Sequence, residues 1–84
     1  MHYVYILPLS NQQLYTGRTD DLRRRFQEHT NGKVSATKHR RPLTLVFYET
    51  FLAKEDSVRR ELYLKTSKGK STLRMMLQDS LKTT

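Results

Sequence analysis

Tyr3-Val4-Tyr5-Ile6-Leu7 is aromatic, β-branched or aliphatic at every position and carries no charge. A run of this kind reads as a β-strand covered on both faces, and that makes it the central strand of a sheet. Toward the carboxyl end, Ser10-Asn11-Gln12-Gln13 is a polar turn and Leu14–Arg18 a second short strand. The connection is too long for a two-residue hairpin and suits a longer antiparallel one. Pro42 ends whatever precedes it, and Leu43–Thr50 reads as a third strand.

Helices fill the rest. Thr19 or Asp20 can cap a first helix, and Asn31-Gly32 supplies a left-handed stop. On a helical projection Leu22 and Phe26 share a face, with His29 between them and Arg25 at its edge. A second helix runs from Lys54 to about Ser67, with Val58 and Leu62 as its inward stripe and Glu61 and Lys65 on the adjoining side. Gly69 breaks it. A last helix, capped by Ser71 or Thr72, presents Leu73, Met76, Leu77 and Leu81 at core spacing, and 82–84 fray. The expected order is β-β-α-β-α-α, an α+β domain over residues 1–84 with its core at about 3–77.

The chain has 84 residues, with 16 Lys and Arg against 8 Asp and Glu, for a net charge of +8. That excess on so small a body sets up a field that favours polyanions, with nucleic acid as the leading partner and mere solubility as the plain alternative. No cysteine is present, which excludes a disulfide scaffold, a thiolate zinc site and a cysteine nucleophile. His2, His29 and His39 lack zinc-ligand spacing. The longest uncharged run, Met1–Gly17, is interrupted by Pro8, Ser10, Asn11, Gln12 and Gln13, so no membrane span is expected. No basic-apolar leader opens the chain, and the expectation is a soluble, cytoplasmic protein. The charge leaves Met1–Gly17 untouched and gathers in Arg18–Arg25, Lys33–Arg41 and Arg59–Arg74. Gly32–Arg41 is the one long irregular stretch, and its cations suit a phosphate backbone.

Tyr5, Tyr15, Arg25, His29 and Glu61 together form a set able to assist phosphodiester hydrolysis. A carboxylate can hold a hard cation such as Mg²⁺, a guanidinium can stabilise phosphorane charge, and a phenol or imidazole can take the proton of an attacking water. Spacing alone does not bring these groups together. Each also has a plainer role: Tyr5 as packed core, Arg25 as one of three solvated arginines, His29 as a cation at a helix end, and Glu61 as the i,i+4 partner of Lys65.

Tyr3-Val4-Tyr5-Ile6-Leu7, Leu14-Tyr15-Thr16-Gly17-Arg18-Thr19 and Asp21-Leu22-x-x-Arg25-x-x-x-His29-x-x-Gly32 together resemble the GIY-YIG nuclease domain, above all its small stand-alone bacterial members. Thr37, Arg41-Pro42 and Arg60-Glu61-x-x-x-Lys65 fit the same pattern in order, so the likeness runs from Tyr3 to Leu77. It implies a three-stranded antiparallel sheet flanked by helices and a one-metal nuclease using Mg²⁺ or Mn²⁺ on nucleic acid, with DNA expected. Tyr5 and Tyr15 match the motif tyrosines beside the nucleophilic water, Arg25 the scissile-phosphate arginine, and Glu61 the metal carboxylate. His29 matches a proton-handling or phosphate-contacting histidine, and Arg18 a basic position next to the second motif. Lys33, Lys38, Arg40, Arg41 and Lys65 are the expected nucleic-acid contacts. Val4 stands where the family name has Gly, and no asparagine follows Glu61, the only two being Asn11 and Asn31. Two further readings stand beside the nuclease: a nucleic-acid-binding module of the same fold without cleavage, and a subunit that needs a protein partner for activity.

Overall fold

The computed structural model describes residues 1–83. Strands β1 (His2–Pro8), β2 (Leu14–Thr19) and β3 (Phe47–Phe51) form one antiparallel sheet in the order β2-β1-β3. The all-apolar strand is central, as its sequence requires. Helix α1 (Leu22–Thr30) follows β2, while α2 (Lys54–Leu64), α3 (Ser67–Met76) and α4 (Gln78–Lys82) follow β3. Among the described residues, no helix is long and apolar enough to cross a membrane.

Register decides which side chains share a face. Tyr5 pairs with Gly17 on one side and Tyr48 on the other, and Val4 pairs with Arg18 and Glu49. Cross-strand partners point the same way and neighbours along a strand point oppositely. Val4 and Ile6 therefore face one side, where they join Leu14, Leu64, Leu73 and Leu77 in the main core. Each such side chain taken from water contributes about 1.5–3 kcal/mol. Tyr3, Tyr5 and Leu7 face the other side, toward α1.

Several boundaries differ from the sequence expectation. β3 begins at Phe47 rather than Leu43, because Leu43–Val46 makes no ladder with β1 beyond Val46 N donating to the Ile6 carbonyl at 3.3 Å. The α1 cap is Asp21, whose carboxylate accepts from Arg24 N at 3.1 Å, while Thr19 Oγ1 steadies Asp21 instead. Val58 and Leu62 do not form the inward stripe of α2: Ser57 and Leu64 are buried and Leu62 lies 60% exposed. Met76 is likewise 48% exposed, leaving Leu73 and Leu77 as the buried pair.

The largest correction concerns Gly69. It lies inside α3 rather than breaking a helix, and the helix boundary falls at Thr66, whose hydroxyl caps α3 by accepting from Gly69 N at 3.0 Å. A Cβ at residue 69 would overlap the Tyr63 carbonyl oxygen and come within 2.7 Å of Leu64 Cα. Gly69 thus lets α3 touch the end of α2, a backbone-to-backbone contact open to no larger residue. The expected fray at 82–84 is met by α4, which extends to Lys82; Thr84 lies outside the described residues.

Candidate active site

The α1 face of the sheet carries an unusual core. His29 is the one buried residue of α1 and is fully enclosed. Its Nε2 lies 2.8 Å from the Tyr5 hydroxyl and its Nδ1 lies 2.8 Å from Thr37 Oγ1. The Tyr5 and Tyr15 rings meet the imidazole edge-on at centroid distances of 5.5 and 5.2 Å, and they sit 6.3 Å from each other. Tyr5 and Thr37 are also buried, whereas Tyr15 is half-exposed on the edge strand. Gly17 makes this packing possible: the Tyr5 ring lies over it, and a Cβ there would overlap Tyr5 Cζ and Oη. The glycine of the Tyr15-Thr16-Gly17 motif is therefore a steric requirement of the motif's other tyrosine.

Burial dominates the electrostatics. It pushes the Tyr5 phenol up to about 12, against the opposing pull of the Arg25 guanidinium beside it. It also lowers His29 to about 4, with Arg25 adding to the effect. Both groups are neutral near pH 7. Arg25 is half-exposed, lies beside Tyr5, and pairs with Glu28 at 2.9 Å.

Arg18 and Glu61 occupy the opposite side of β2, since Arg18 is paired with Val4 in register. Arg18 Nε is 3.7 Å from Glu61 Oε1, and Lys65 Nζ is 3.3 Å from Glu61 Oε2. The Glu61–Lys65 pair of the sequence reading is thus present, and Glu61 forms no hydrogen bond or ion pair with Tyr5, Tyr15, Arg25 or His29. Arg18 and Arg25 meet in a cleft of about 360 Å³ that they line together with His2, Thr19, Asp20, Arg24, Glu28 and Lys54, and that Tyr5, Tyr15, His29 and Glu61 do not line. His2, Glu28 and Lys54 were not singled out in the sequence, where nothing ties them to the motif residues.

Among the described residues no group of three His, Cys, Asp or Glu side chains could hold a metal. Glu61 alone suits only a hard, largely hydrated ion that takes one carboxylate and phosphate oxygens. The donor set is compatible with that. Arg18 Nε is buried without a hydrogen bond, and at 3.7 Å it pairs with Glu61 Oε1 by charge alone.

Of the basic residues expected to contact nucleic acid, Lys33, Lys38 and Arg40 carry side chains with no ion pair among the described residues. Arg41 is used differently, donating from Nε to the Lys38 carbonyl at 3.0 Å and from Nη1 to the Thr30 carbonyl at 3.3 Å. Thr37 is the buried group whose role sequence reasoning missed, because its partner lies in another element.

The model of the GIY-YIG catalytic domain matches residues 1–74, which span the three-stranded antiparallel sheet and helices α1 and α2. This chain belongs to the GIY-YIG family. It is similar to small bacterial proteins: it is 41% identical over 76 residues to a UPF0213 protein of Staphylococcus haemolyticus, covering 89% of this chain and 93% of that one. It is 37% identical over 83 residues to a UPF0213 protein of Clostridium perfringens, covering 98% and 89%. The solution NMR structure of a UPF0213 protein from Bacillus halodurans superposes with a TM-score of 0.59 at 37% identity, covering 89% of this chain and 83% of that one.

Proposed function

We propose that this protein is a divalent-metal-dependent endonuclease that hydrolyses phosphodiester bonds of nucleic acid, with DNA as substrate. The observation that carries this reading is the cleft lined by both Arg18 and Arg25, of which Arg18 is ion-paired with Glu61 and Arg25 lies beside the Tyr5 of the buried Tyr5–His29 pair.

A phosphodiester in that cleft is gripped by two guanidiniums, which hold it and stabilise the charge that grows in the transition state. Glu61 is the group that would hold one Mg²⁺ or Mn²⁺, whose chemistry when bound is to polarise phosphate oxygens and acidify water. Tyr5 keeps its proton at neutral pH, so it is not a standing phenolate base. It instead relays: as water attacks phosphorus, the water proton passes to the Tyr5 oxygen and the phenol proton to His29 Nε2. The P–O bond opposite the incoming water breaks, and the leaving sugar oxygen is protonated from solvent. Substrate itself prepares the acceptor. A phosphate anion beside Arg25 offsets one of the two causes that hold His29 low, so the imidazole becomes more basic as the substrate binds. Tyr15, half-exposed against His29, lines the approach. Lys33, Lys38, Arg40 and Lys65 hold the flanking backbone.

The test is cleavage of branched, flapped, duplex and single-stranded oligonucleotides with Mg²⁺ or Mn²⁺. Wild type should cut at least one, and Glu61→Ala and Arg25→Ala should each slow cutting by about 10²-fold or more. No cutting by wild type, or equal cutting by Glu61→Ala, would overturn the reading. The ion pairs of Glu61 with Arg18 and Lys65 favour a second reading, a module that binds without cleaving. It predicts salt-sensitive binding that survives Glu61→Ala, falling by orders of magnitude between ~50 and ~200 mM salt.

A further inference from the structure

The segment after α1 is folded against that helix in a way that presents one hydroxyl. Gly32, at φ +75°, turns the chain out of the helix, and the Arg41 guanidinium ties the far end of the segment back to the Thr30 carbonyl. Between these anchors Val34 and Thr37 are buried. Thr37 N donates to the Val34 carbonyl at 3.1 Å, and the Thr37 carbonyl accepts from Arg40 N at 2.9 Å. The backbone of residue 37 is fixed by these bonds, and its β-branched side chain has little rotamer freedom. A buried hydroxyl is unfavourable unless bonded, and the one side-chain partner here is His29 Nδ1, at 2.8 Å.

A neutral imidazole has one N–H donor and one acceptor nitrogen, and the partner of one nitrogen decides the state of the other. If Nδ1 carries the proton and donates to Thr37 Oγ1, Nε2 is free to accept from the Tyr5 hydroxyl. If Nε2 carries the proton, Thr37 Oγ1 donates to Nδ1 instead, and Nε2 meets the phenol as a donor and cannot take the phenol proton. The Arg25 guanidinium is a donor only, so beside the Tyr5 oxygen it leaves the phenol O–H to donate to Nε2, which favours the first arrangement. We propose that Thr37 is a positioning residue, which holds His29 in the Nδ1–H tautomer and aims Nε2 at Tyr5. This rests on the nuclease reading for its effect on rate, but not for its effect on the imidazole. The groups that face His29 are Tyr5 from β1, Tyr15 from β2, Arg25 and Glu28 from α1, and Thr37 from the following segment. None of the others reaches Nδ1 with a hydrogen bond.

The test compares wild type, Thr37→Val and Thr37→Ser. Side-chain ¹⁵N shifts of His29 should report Nδ1–H in wild type and Thr37→Ser, and should move toward Nε2–H or a mixture in Thr37→Val. In cleavage, Thr37→Val should lower kcat by about 10–100-fold with KM for the oligonucleotide unchanged, and Thr37→Ser should restore most of the rate. The acid limb of the pH profile should move to lower pH in Thr37→Val, because an acceptor at Nδ1 favours the imidazolium more than the neutral ring. Nε2–H in wild type, or an unchanged tautomer in a folded Thr37→Val, overturns the proposal. Thr37→Ala takes the place of the valine variant if the latter does not fold. Should wild type show Nδ1–H yet cut nothing, the nuclease reading fails while the positioning of His29 stands.

Discussion

On one side of the central strand, Val4 and Ile6 meet Leu64, Leu73 and Leu77 in a wholly aliphatic contact. On the other, Tyr5 meets His29, Tyr15 and, through the imidazole, Thr37. Tyr5, His29 and Thr37 are buried as deeply as the aliphatic core, but the two sides are held by different physics. The α2–α3 side is non-directional: its packing removes apolar surface from water, and any well-fitting aliphatic group contributes. The α1 side buries a phenol, an imidazole and a hydroxyl, each tolerable only because the next one satisfies it. One side of the sheet supplies stability, while the other fixes the geometry of a reactive pair.

That contrast can be broken most directly by truncation. Leu73→Ala should destabilise by about 2–5 kcal/mol through lost burial and a cavity, leaving the catalytic geometry of the surviving folded protein unchanged; chemical denaturation and single-turnover cleavage check the two halves of the statement. The same measurement on Tyr5→Phe should show a smaller loss of about 1–3 kcal/mol, from the unsatisfied Nε2, but a far larger fall in cleavage. Equal patterns in the two variants would erase the distinction.

Acid separates the two sides without mutation. His29 falls from 6.5 to about 4 on folding, so between those values the unfolded chain binds the proton and the folded one does not. Stability should rise with pH across that window, and it should be lost, by up to about 3 kcal/mol, as pH falls from 6.5 to about 4. Tyr5 gives the mirror case. Its folded value of about 12 exceeds the ordinary 10, so the folded protein keeps a proton that the unfolded chain releases. Stability should therefore decline as pH rises from 10 to about 12. His29→Gln should flatten the acid limb and Tyr5→Phe the alkaline one, as read by urea titrations at each pH.

Gly17→Ala and Gly69→Ala sharpen the comparison further. The methyl at 69 strikes backbone and should destabilise by about 1–3 kcal/mol. The methyl at 17 strikes the hydroxyl end of the Tyr5 ring and so displaces the phenol from His29, and cleavage should fall more than stability. The smallest effect belongs to Glu49→Gln. Its carboxylate accepts two bonds from Arg60, at 2.7 and 3.1 Å, yet both side chains are about a quarter exposed, and such a pair contributes under about 1 kcal/mol.

Much of this was legible in the chain. Tyr3–Leu7 announced a covered central strand because no residue in it tolerates water on either face. The motif residues Tyr5, Tyr15, Arg25 and His29 fell on the strands and helix expected of them, and the Asn31-Gly32 stop appears as an Asn31 cap followed by a positive φ at Gly32. The helical tail was read less well. Gly69 has the composition of a breaker, and only the approach of α2 shows why it is retained inside a helix. Leu62 has the periodicity of a core residue, but α2 is rolled so that Ser57 and Leu64 face the sheet instead.

The sequence by itself determined the strand order, the excess of positive charge and the types of group available for chemistry, because those follow from local pattern and composition. It could not decide which groups meet. That His29 lies between Tyr5 and Thr37, that Gly17 lies under the Tyr5 ring, and that Glu61 sits with Arg18 across the edge strand are consequences of register and of a segment folding back on its helix. Contacts between residues 8 to 43 positions apart leave no local trace in a chain. They exist only once the apolar side of the sheet has closed and brought the two ends of each contact within hydrogen-bonding reach.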